Sequence, residues 1–296
     1  QPHHRRTMSQ PIAATGLADP RTVATIVHTA LVEDIGRGDL TSMLTIPAQT
    51  RARGVLLAKQ DGVLSGGYVV AECFAQNDPG SVFTPLVAEG ARFTVGDHLG
   101  EIEGSARGVL GAERVALNFL QRLCGVATLT RAFADAVAGT GARITDTRKT
   151  TPGLRVLEKA AVLAGGGANH RFALYDGILI KDNHIRLAGG IAEAIARARA
   201  GAPHTLRVEV EATHLNEVRA ALDAGADIIM LDNMDDATMA EAVHIVGARA
   251  LVEASGGMCL ERVRAVAQSG VDLISVGRLT HSAPAIDISL ELEILV

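Results

Sequence analysis

What limits this chain most is a repeat in its second half. After Gly139, apolar runs at Arg143–Thr147, Gly177–Lys181, Leu206–Glu211, Asp227–Asn233, Ala250–Ser255 and Asp272–Arg278 alternate with helix-period segments at Ile191–Ala200, Leu215–Ala224, Asp236–Val246 and Leu260–Ser269. The last three runs begin about 22 residues apart, room for one strand, one helix and two short turns. Gly225-Ala-Asp-Ile-Ile and Gly270-Val-Asp-Leu-Ile enter their strands in the same way. Strands this continuously apolar are covered on both faces, which calls for parallel β/α architecture. Each ends in polar residues at the same end, which favours a barrel. An open doubly wound sheet is the alternative, and the first strand lacks the G-x-G-x-x-G that would support it.

The first half follows other rules. Val23, Ile26, Val27, Ala30 and Leu31 recur at helical spacing, so a helix is predicted from Asp19 or Pro20 to about Asp34. Short β-prone runs at Gly54–Ala58, Gly62–Leu64 and Ser81–Val87, with a helix near Gly67–Gln76, suit an α/β layer on an antiparallel sheet. Val109 to Val137 reads as one or two helices broken near Cys124-Gly125, and the alternating Ile286–Leu295 reads as a strand returning to the first domain. The expected domains are therefore a polar extension over 1–18, with Met8 a candidate natural start, a first domain over 19–116 completed by 283–296, and a barrel over 117–282.

Composition narrows the function classes. With 48% hydrophobic residues, 296 positions can bury a sizeable core. No stretch free of charged residues exceeds about 12 positions, and no apolar h-region follows the basic start, so no membrane association is expected and a cytoplasmic location is. Cys73, Cys124 and Cys259 are odd in number and far apart, which argues for reduced core thiols rather than a disulfide or zinc framework. A net charge of -5, no Trp and two Tyr leave little with which to stack or attract nucleic acid. A small anion needs only a local cluster of cations.

Such a cluster stands at the strand ends, where barrels carry their chemistry. Read in order, these ends give Thr147-Arg148-Lys149, Lys181, Glu209 and Glu211, Asp232, Ser255-Gly256-Gly257, and Gly277-Arg278 with His281 beyond; Asn169-His170-Arg171 adds a cation and a histidine. Lys181 continues a buried strand, so it serves either the site or an internal salt bridge to a barrel carboxylate. Glu209 and Glu211 share one strand face, and they suit Mg²⁺, a developing positive charge, or pairing with Lys181. Backbone N–H groups at Ser255-Gly256-Gly257 and Gly277-Arg278 suit a phosphate. Gly165-Gly-Gly167 follows a helix without the Gly-Lys-Ser/Thr ending and reads as a C-cap.

Three motifs together, Asp146-Thr-Arg-Lys-Thr-Thr-Pro-Gly-Leu-Arg155, Gly165-Gly-Gly-Ala-Asn-His-Arg171 and Ile180-Lys-Asp-Asn-His184, strongly resemble quinolinate phosphoribosyltransferase. Supporting stretches include Gly38-Asp39-Leu-Thr41, Ala112-Glu-Arg-Val-Ala-Leu-Asn118, Ile229-Met-Leu-Asp-Asn233 and Glu253-Ala-Ser-Gly-Gly257. The resemblance implies an N-terminal α/β sandwich, an incomplete seven-stranded α/β barrel, and a homodimer, or a higher homo-oligomer, with a shared active site. It implies transfer of phosphoribosyl from phosphoribosyl pyrophosphate to quinolinate, giving nicotinate mononucleotide, pyrophosphate and CO₂, with Mg²⁺, in NAD synthesis. Arg148, His170 and Arg171, with Arg114 of the partner subunit, would bind the quinolinate carboxylates. Lys149 and Lys181 would lie between that acid and pyrophosphate, and Glu209 and Asp232 would face the ribose and metal. Thr147 would line the substrate site, and Ser255, Gly256, Gly257 and Gly277 would hold phosphate beside Arg278 and His281. Two departures from the family pattern stand out. The stretch after Glu209 is a residue or two longer, which leaves Glu211 as the alternative, and Arg278 stands where a small residue is commoner.

Overall fold

In a computed structural model of the chain, residues 18–295 are described, and the polar extension lies outside them apart from Ala18. In chain order the elements begin with α1 (Pro20–Ile35), α2 (Leu40–Thr45), β1 (Arg51–Ala58), β2 (Gly62–Val63), α3 (Gly67–Asn77), β3 (Val82–Pro85), β4 (Arg92–Phe93), β5 (His98–Ser105) and α4 (Ala106–Ala136). There follow β6 (Arg143–Thr145), α5 (Arg155–Ala164), β7 (Ile178–Ile180), α6 (Asp182–Ala188), α7 (Ile191–Gly201), β8 (Val208–Ala212) and α8 (Leu215–Asp223). The chain ends with β9 (Ile228–Asp232), α9 (Asp236–Val246), β10 (Leu251–Ser255), α10 (Leu260–Gln268), β11 (Leu273–Ser275), α11 (Arg278–His281) and β12 (Ile288–Leu295). Two compact units result. The first runs to Thr128 and adds Val156–Ala164 and the chain from Pro284, and the second comprises Leu129–Arg155 and Gly165–Ala283.

The first unit is built on an antiparallel sheet in the order β12-β1-β5-β3. Asp19 caps α1 by accepting from Thr22 N, Pro20 sits in the first turn, and Val23, Val27 and Leu31 bury one face. The returning tail is β12, paired along all of β1 from Arg51↔Leu295 to Ala58↔Ile288. Arg53 stands in register between Glu293 and Glu103, and its guanidinium reaches Glu101 at 2.6 Å. The N-terminus of α3 is closed by Glu89, whose carboxylate accepts from Gly66 N and, at 2.7 Å, from Gly67 N.

The break expected near Gly125 is absent, since α4 is one helix of 31 residues. A Cβ at position 125 would overlap the carbonyl oxygen of Pro284. The glycine therefore lets the tail pass against the helix, and the cost of about 1 kcal/mol is too small to break so long an element.

The second unit is an incomplete α/β barrel with six parallel strands in the order β6-β11-β10-β9-β8-β7. The seventh strand expected of it is reduced to a parallel bridge between Thr145 and Ala168 beside β6. The Gly-x-Asp repeat has a mechanical reason. Asp227 Oδ2 accepts from Val208 N at 2.7 Å and Asp272 Oδ2 from Val252 N at 2.8 Å, so each aspartate ties the start of its strand to the strand before. Val210, Ile229, Leu231, Ala254 and Ile274 are fully buried, while the interior-facing set includes the charged residues Glu209 and Glu253.

Candidate active site

The polar residues that close the strands surround one cavity of about 830 Å³. Thr147, Arg148 and Lys149 come from the loop after β6, His170 and Arg171 follow the Ala168 bridge, and Lys181 follows β7. Asp232 closes β9; Ser255 closes β10, followed by Gly256 and Gly257; Gly277, Arg278 and His281 follow β11. Two expected residues lie elsewhere. Arg114 is exposed on α4 in the first unit. Glu209, 4% exposed, is not among the cavity-lining residues, and Glu211 is. Both point inward, but the later residue lies nearer the carboxyl end of the strand, where the barrel opens. Of the two carboxylates weighed from the sequence, Glu211 is the one that borders this cavity.

Lys181 Nζ donates to Glu211 Oε2 at 2.8 Å, the internal ion pair weighed from the sequence. The lysine side chain is still 46% exposed, and an ion pair that open holds weakly enough for an arriving anion to recruit the ammonium. The loop carrying Lys149 is fixed through its backbone. Lys149 N–H donates to Thr147 Oγ1 at 3.0 Å, and the buried Thr280 hydroxyl donates to Lys149 O at 2.7 Å. Arg155, given no role by sequence reasoning, donates to Thr150 Oγ1 at 2.9 Å and Phe172 O at 3.2 Å, joining two loops of the cavity wall.

Below the cavity lies a buried polar floor. Asp146, fully buried, accepts from Asn169 Nδ2 at 2.5 Å and His170 N at 2.9 Å. His170 Nδ1 accepts from Arg171 N at 2.7 Å, while Nε2 lies 3.1 Å from Glu209 Oε2 and 3.7 Å from Glu253 Oε1. Both ring nitrogens thus have partners inside the protein, and the ring also borders the cavity. Burial, then the facing Glu209 carboxylate, pushes Glu253 up to about 8 against the pull of His170. Oε1 of Glu209 and Oε1 of Glu253 are buried without a hydrogen-bond partner among the described residues.

Arg171 Nη1 donates to Gly177 O at 2.9 Å. Burial and the neighbouring Arg148 charge lower its guanidinium below the usual value. Two cations held together in a half-desolvated wall favour an anionic ligand between them. On the opposite side, Asn233 takes a φ of 55°, the one positive-φ residue other than glycine among the described residues, and its N–H donates to Ser255 O at 3.0 Å. Cys259 is no core thiol: it is half-buried and lines the cavity, whereas Cys73 and Cys124 are buried.

Comparison with known proteins gives the same picture along the chain. Residues 126–291 match the profile of the quinolinate phosphoribosyl transferase C-terminal domain, and residues 39–124 match that of the N-terminal domain. A probable nicotinate-nucleotide pyrophosphorylase (carboxylating) of Bacillus subtilis (strain 168) is 44% identical over 260 residues, covering 88% of this chain and 90% of that protein. The chloroplastic nicotinate-nucleotide pyrophosphorylase (carboxylating) of Oryza sativa subsp. japonica is 42% identical, covering 90% of this chain and 77% of that protein. The crystal structure of NadC from Streptococcus pyogenes superposes with a TM-score of 0.91 at 40% identity, covering 94% of this chain and 99% of that one.

Proposed function

The chain belongs to the quinolinate phosphoribosyltransferase family, and from that premise we propose how its cavity joins quinolinate to phosphoribosyl pyrophosphate, releasing pyrophosphate and CO₂ and leaving nicotinate mononucleotide for NAD synthesis. The observation that carries the reading is the wall of cations, Arg148, Lys149, Arg171, Lys181 and Arg278, facing Glu211 and Asp232 across one cavity. Both substrates are polyanions, and the sugar carbon between them becomes positive during transfer.

Arg148 and Arg171 orient quinolinate, since forked guanidinium groups hold a carboxylate in one plane and aim the ring nitrogen at the sugar. Lys149 and Lys181 meet the charge growing on the departing pyrophosphate. Glu211 and Asp232 stabilise the cationic sugar. The backbone at Ser255, Gly256, Gly257 and Gly277 takes the ribose phosphate, with Arg278 and His281 at its edge. Once the ring nitrogen bears the ribose, its positive charge stabilises the electron pair left on C2 as the bond to the carboxylate breaks and CO₂ departs, and a proton from solvent then takes the carboxylate's place on C2.

Magnesium fits the donors present. Carboxylate oxygens are the hard ligands it prefers, and among the described residues Asp232 and Glu211 each have one oxygen engaged, by Asn233 Nδ2 at 3.0 Å and by Lys181 respectively. When bound, it would neutralise pyrophosphate. The protein works as a homodimer or a higher assembly of such pairs, with Arg114 of one subunit completing the site of the other. Exposed Leu174, Tyr175 and Leu187 support a subunit surface. The free thiols suit a cytoplasmic location, and no helix among the described residues is long and apolar enough to cross a membrane. The test is release of pyrophosphate and CO₂ from quinolinate and phosphoribosyl pyrophosphate, which is lost in Lys149→Ala.

A further inference from the structure

The cavity floor holds more charge than the reaction just described uses. Glu209 and Glu253 are both buried, Glu253 reaching the base of the cavity, and their oxygens converge on one atom, His170 Nε2. Protein interiors do not keep two carboxyls together unless something is gained from them.

The partners of the ring decide its protonation. A main-chain N–H can only donate, so the bond from Arg171 N leaves His170 Nδ1 bare. The single ring proton of the neutral imidazole then sits on Nε2, aimed at Glu209. In the other tautomer, Nδ1–H would face the Arg171 N–H and a bare Nε2 would face carboxylate oxygen, so both contacts would turn repulsive. The carboxyls therefore select one form of the ring, and the ring in turn holds the backbone nitrogen of Arg171.

The consequence reaches the substrate through Arg171. Its chain is fixed at one end by His170 Nδ1 and at the other by the bond from Nη1 to Gly177 O, so its guanidinium has little freedom left. Position 177 leaves no slack either, because a Cβ there would stand 3.0 Å from Arg171 Cβ.

We propose that Glu209 and Glu253 are positioning residues that lock His170 as its Nε2–H tautomer and thereby set Arg171 for the quinolinate carboxylate. The inference rests on the quinolinate reading of the same cavity. It divides the labour at the site: Glu211 and Asp232 serve the sugar side, and the buried pair serves the acid side.

Steady-state kinetics of Glu209→Ala, Glu209→Gln and Glu253→Gln, with ¹⁵N-histidine spectra of each whole protein, test this. In the wild type, Nδ1 of His170 should resonate as an unprotonated nitrogen. Glu209→Ala should raise KM for quinolinate by about tenfold to a hundredfold, since a small misplacement of an orienting group costs that much, while KM for phosphoribosyl pyrophosphate stays within about twofold. Glu209→Gln keeps an oxygen acceptor for Nε2–H and should recover most of the loss.

A protonated Nδ1, or a metal-bound Nε2 that loses its metal to chelator, would overturn the proposal. So would an alanine variant that raises both KM values alike, or a glutamine variant as poor as alanine. If Glu209→Ala does not fold, the wild-type spectrum and the glutamine variants decide alone. Wild-type protein that releases no CO₂ from quinolinate would instead sink the substrate assignment and leave the tautomer measurement standing.

Discussion

Gly256 and Asn233 occupy space that only one of them can fill. Gly256 has a φ of 92°, and a Cβ on it would overlap Oδ1 of Asn233 across the mouth of β9 and β10. Gly256→Ala must therefore strain the main chain and displace Asn233, whose Nδ2 donates to Asp232 Oδ2. The expected result is a fall of at least about tenfold in kcat/KM for phosphoribosyl pyrophosphate, with folding retained. Gly139→Ala is the control, since φ there is also positive but nothing lies within 4 Å. Equal activity of the two variants would remove the phosphate role from the Gly256 loop.

Charge discrimination is the second expectation. Arg148 and Arg171 are cations held close in a half-buried wall, so nicotinate, which lacks the 2-carboxylate, leaves charge unmatched there. Such mismatches cost on the order of 10⁴-fold in kcat/KM. Arg171→Ala should lower quinolinate use by at least tenfold, given roughly 2–5 kcal/mol for truncating one side of a buried charged pair. Comparable use of both acids by the wild type would show that the cations serve phosphate instead.

A thiol titration separates the cysteines. Burial raises both Cys73 and Cys124 to about 12, so at pH 8 almost none of either is thiolate. Cys259 is half-buried and borders the cavity. Iodoacetamide should therefore modify one cysteine per chain, at position 259, and pyrophosphate should slow the labelling. Mass spectrometry reads the site, and modification of Cys124 in folded protein would contradict the burial described.

Glu253 sets a pH dependence of stability. The groups it faces are Glu209, His170 and the Ser275 hydroxyl, and burial raises it to about 8. Between about pH 4.5 and 8 the folded chain keeps a proton that the unfolded chain has released, so this contribution is whole below that window and fades as pH rises through 8. Glu253→Gln cannot ionise. Over pH 6 to 9 the melting temperature of the wild type should thus fall further than that of the variant, and a parallel pair of curves would show that Glu253 titrates normally.

Subunit mixing tests the shared site. Inactive Arg114→Ala and inactive Lys149→Ala proteins, allowed to exchange, should regain roughly a quarter of wild-type activity, because half of randomly paired dimers are mixed and one site in each carries neither lesion. No recovery despite proven exchange would place Arg114 outside its partner's cavity.

The sequence exposed those features that repeat or that punctuate a strand. The Gly-x-Asp entries, the apolar runs and their polar ends located β8 to β11 to within two residues at the starts, because the Asp227 and Asp272 ties are local and periodic. Three things were not legible. Gly125 reads as a helix break because the atom that needs the space belongs to Pro284, far along the chain. Glu209 and Glu211 are equivalent by alternation, and only depth in the barrel separates them. His170 looked like a cation beside Arg171, whereas its partners come from β8, β10 and the next backbone amide. Linear pattern reports which face a side chain takes, and it is silent about how far along the barrel axis that side chain sits.

The pairing of β12 with β1 also governs how the protein is born. Strand β1 leaves the ribosome before any barrel strand, but its partner from Ile288 to Leu295 follows the entire barrel. Throughout synthesis β1 carries a bare edge that invites pairing with a neighbouring nascent chain. The barrel unit has all its strands before that moment and is free to form first, so a chain truncated at Asp287 should keep the parallel sheet while its first unit stays unfinished. Residues Ile288 to Leu295 thus act as a timing device, closing the first-made sheet only after every barrel strand has been translated.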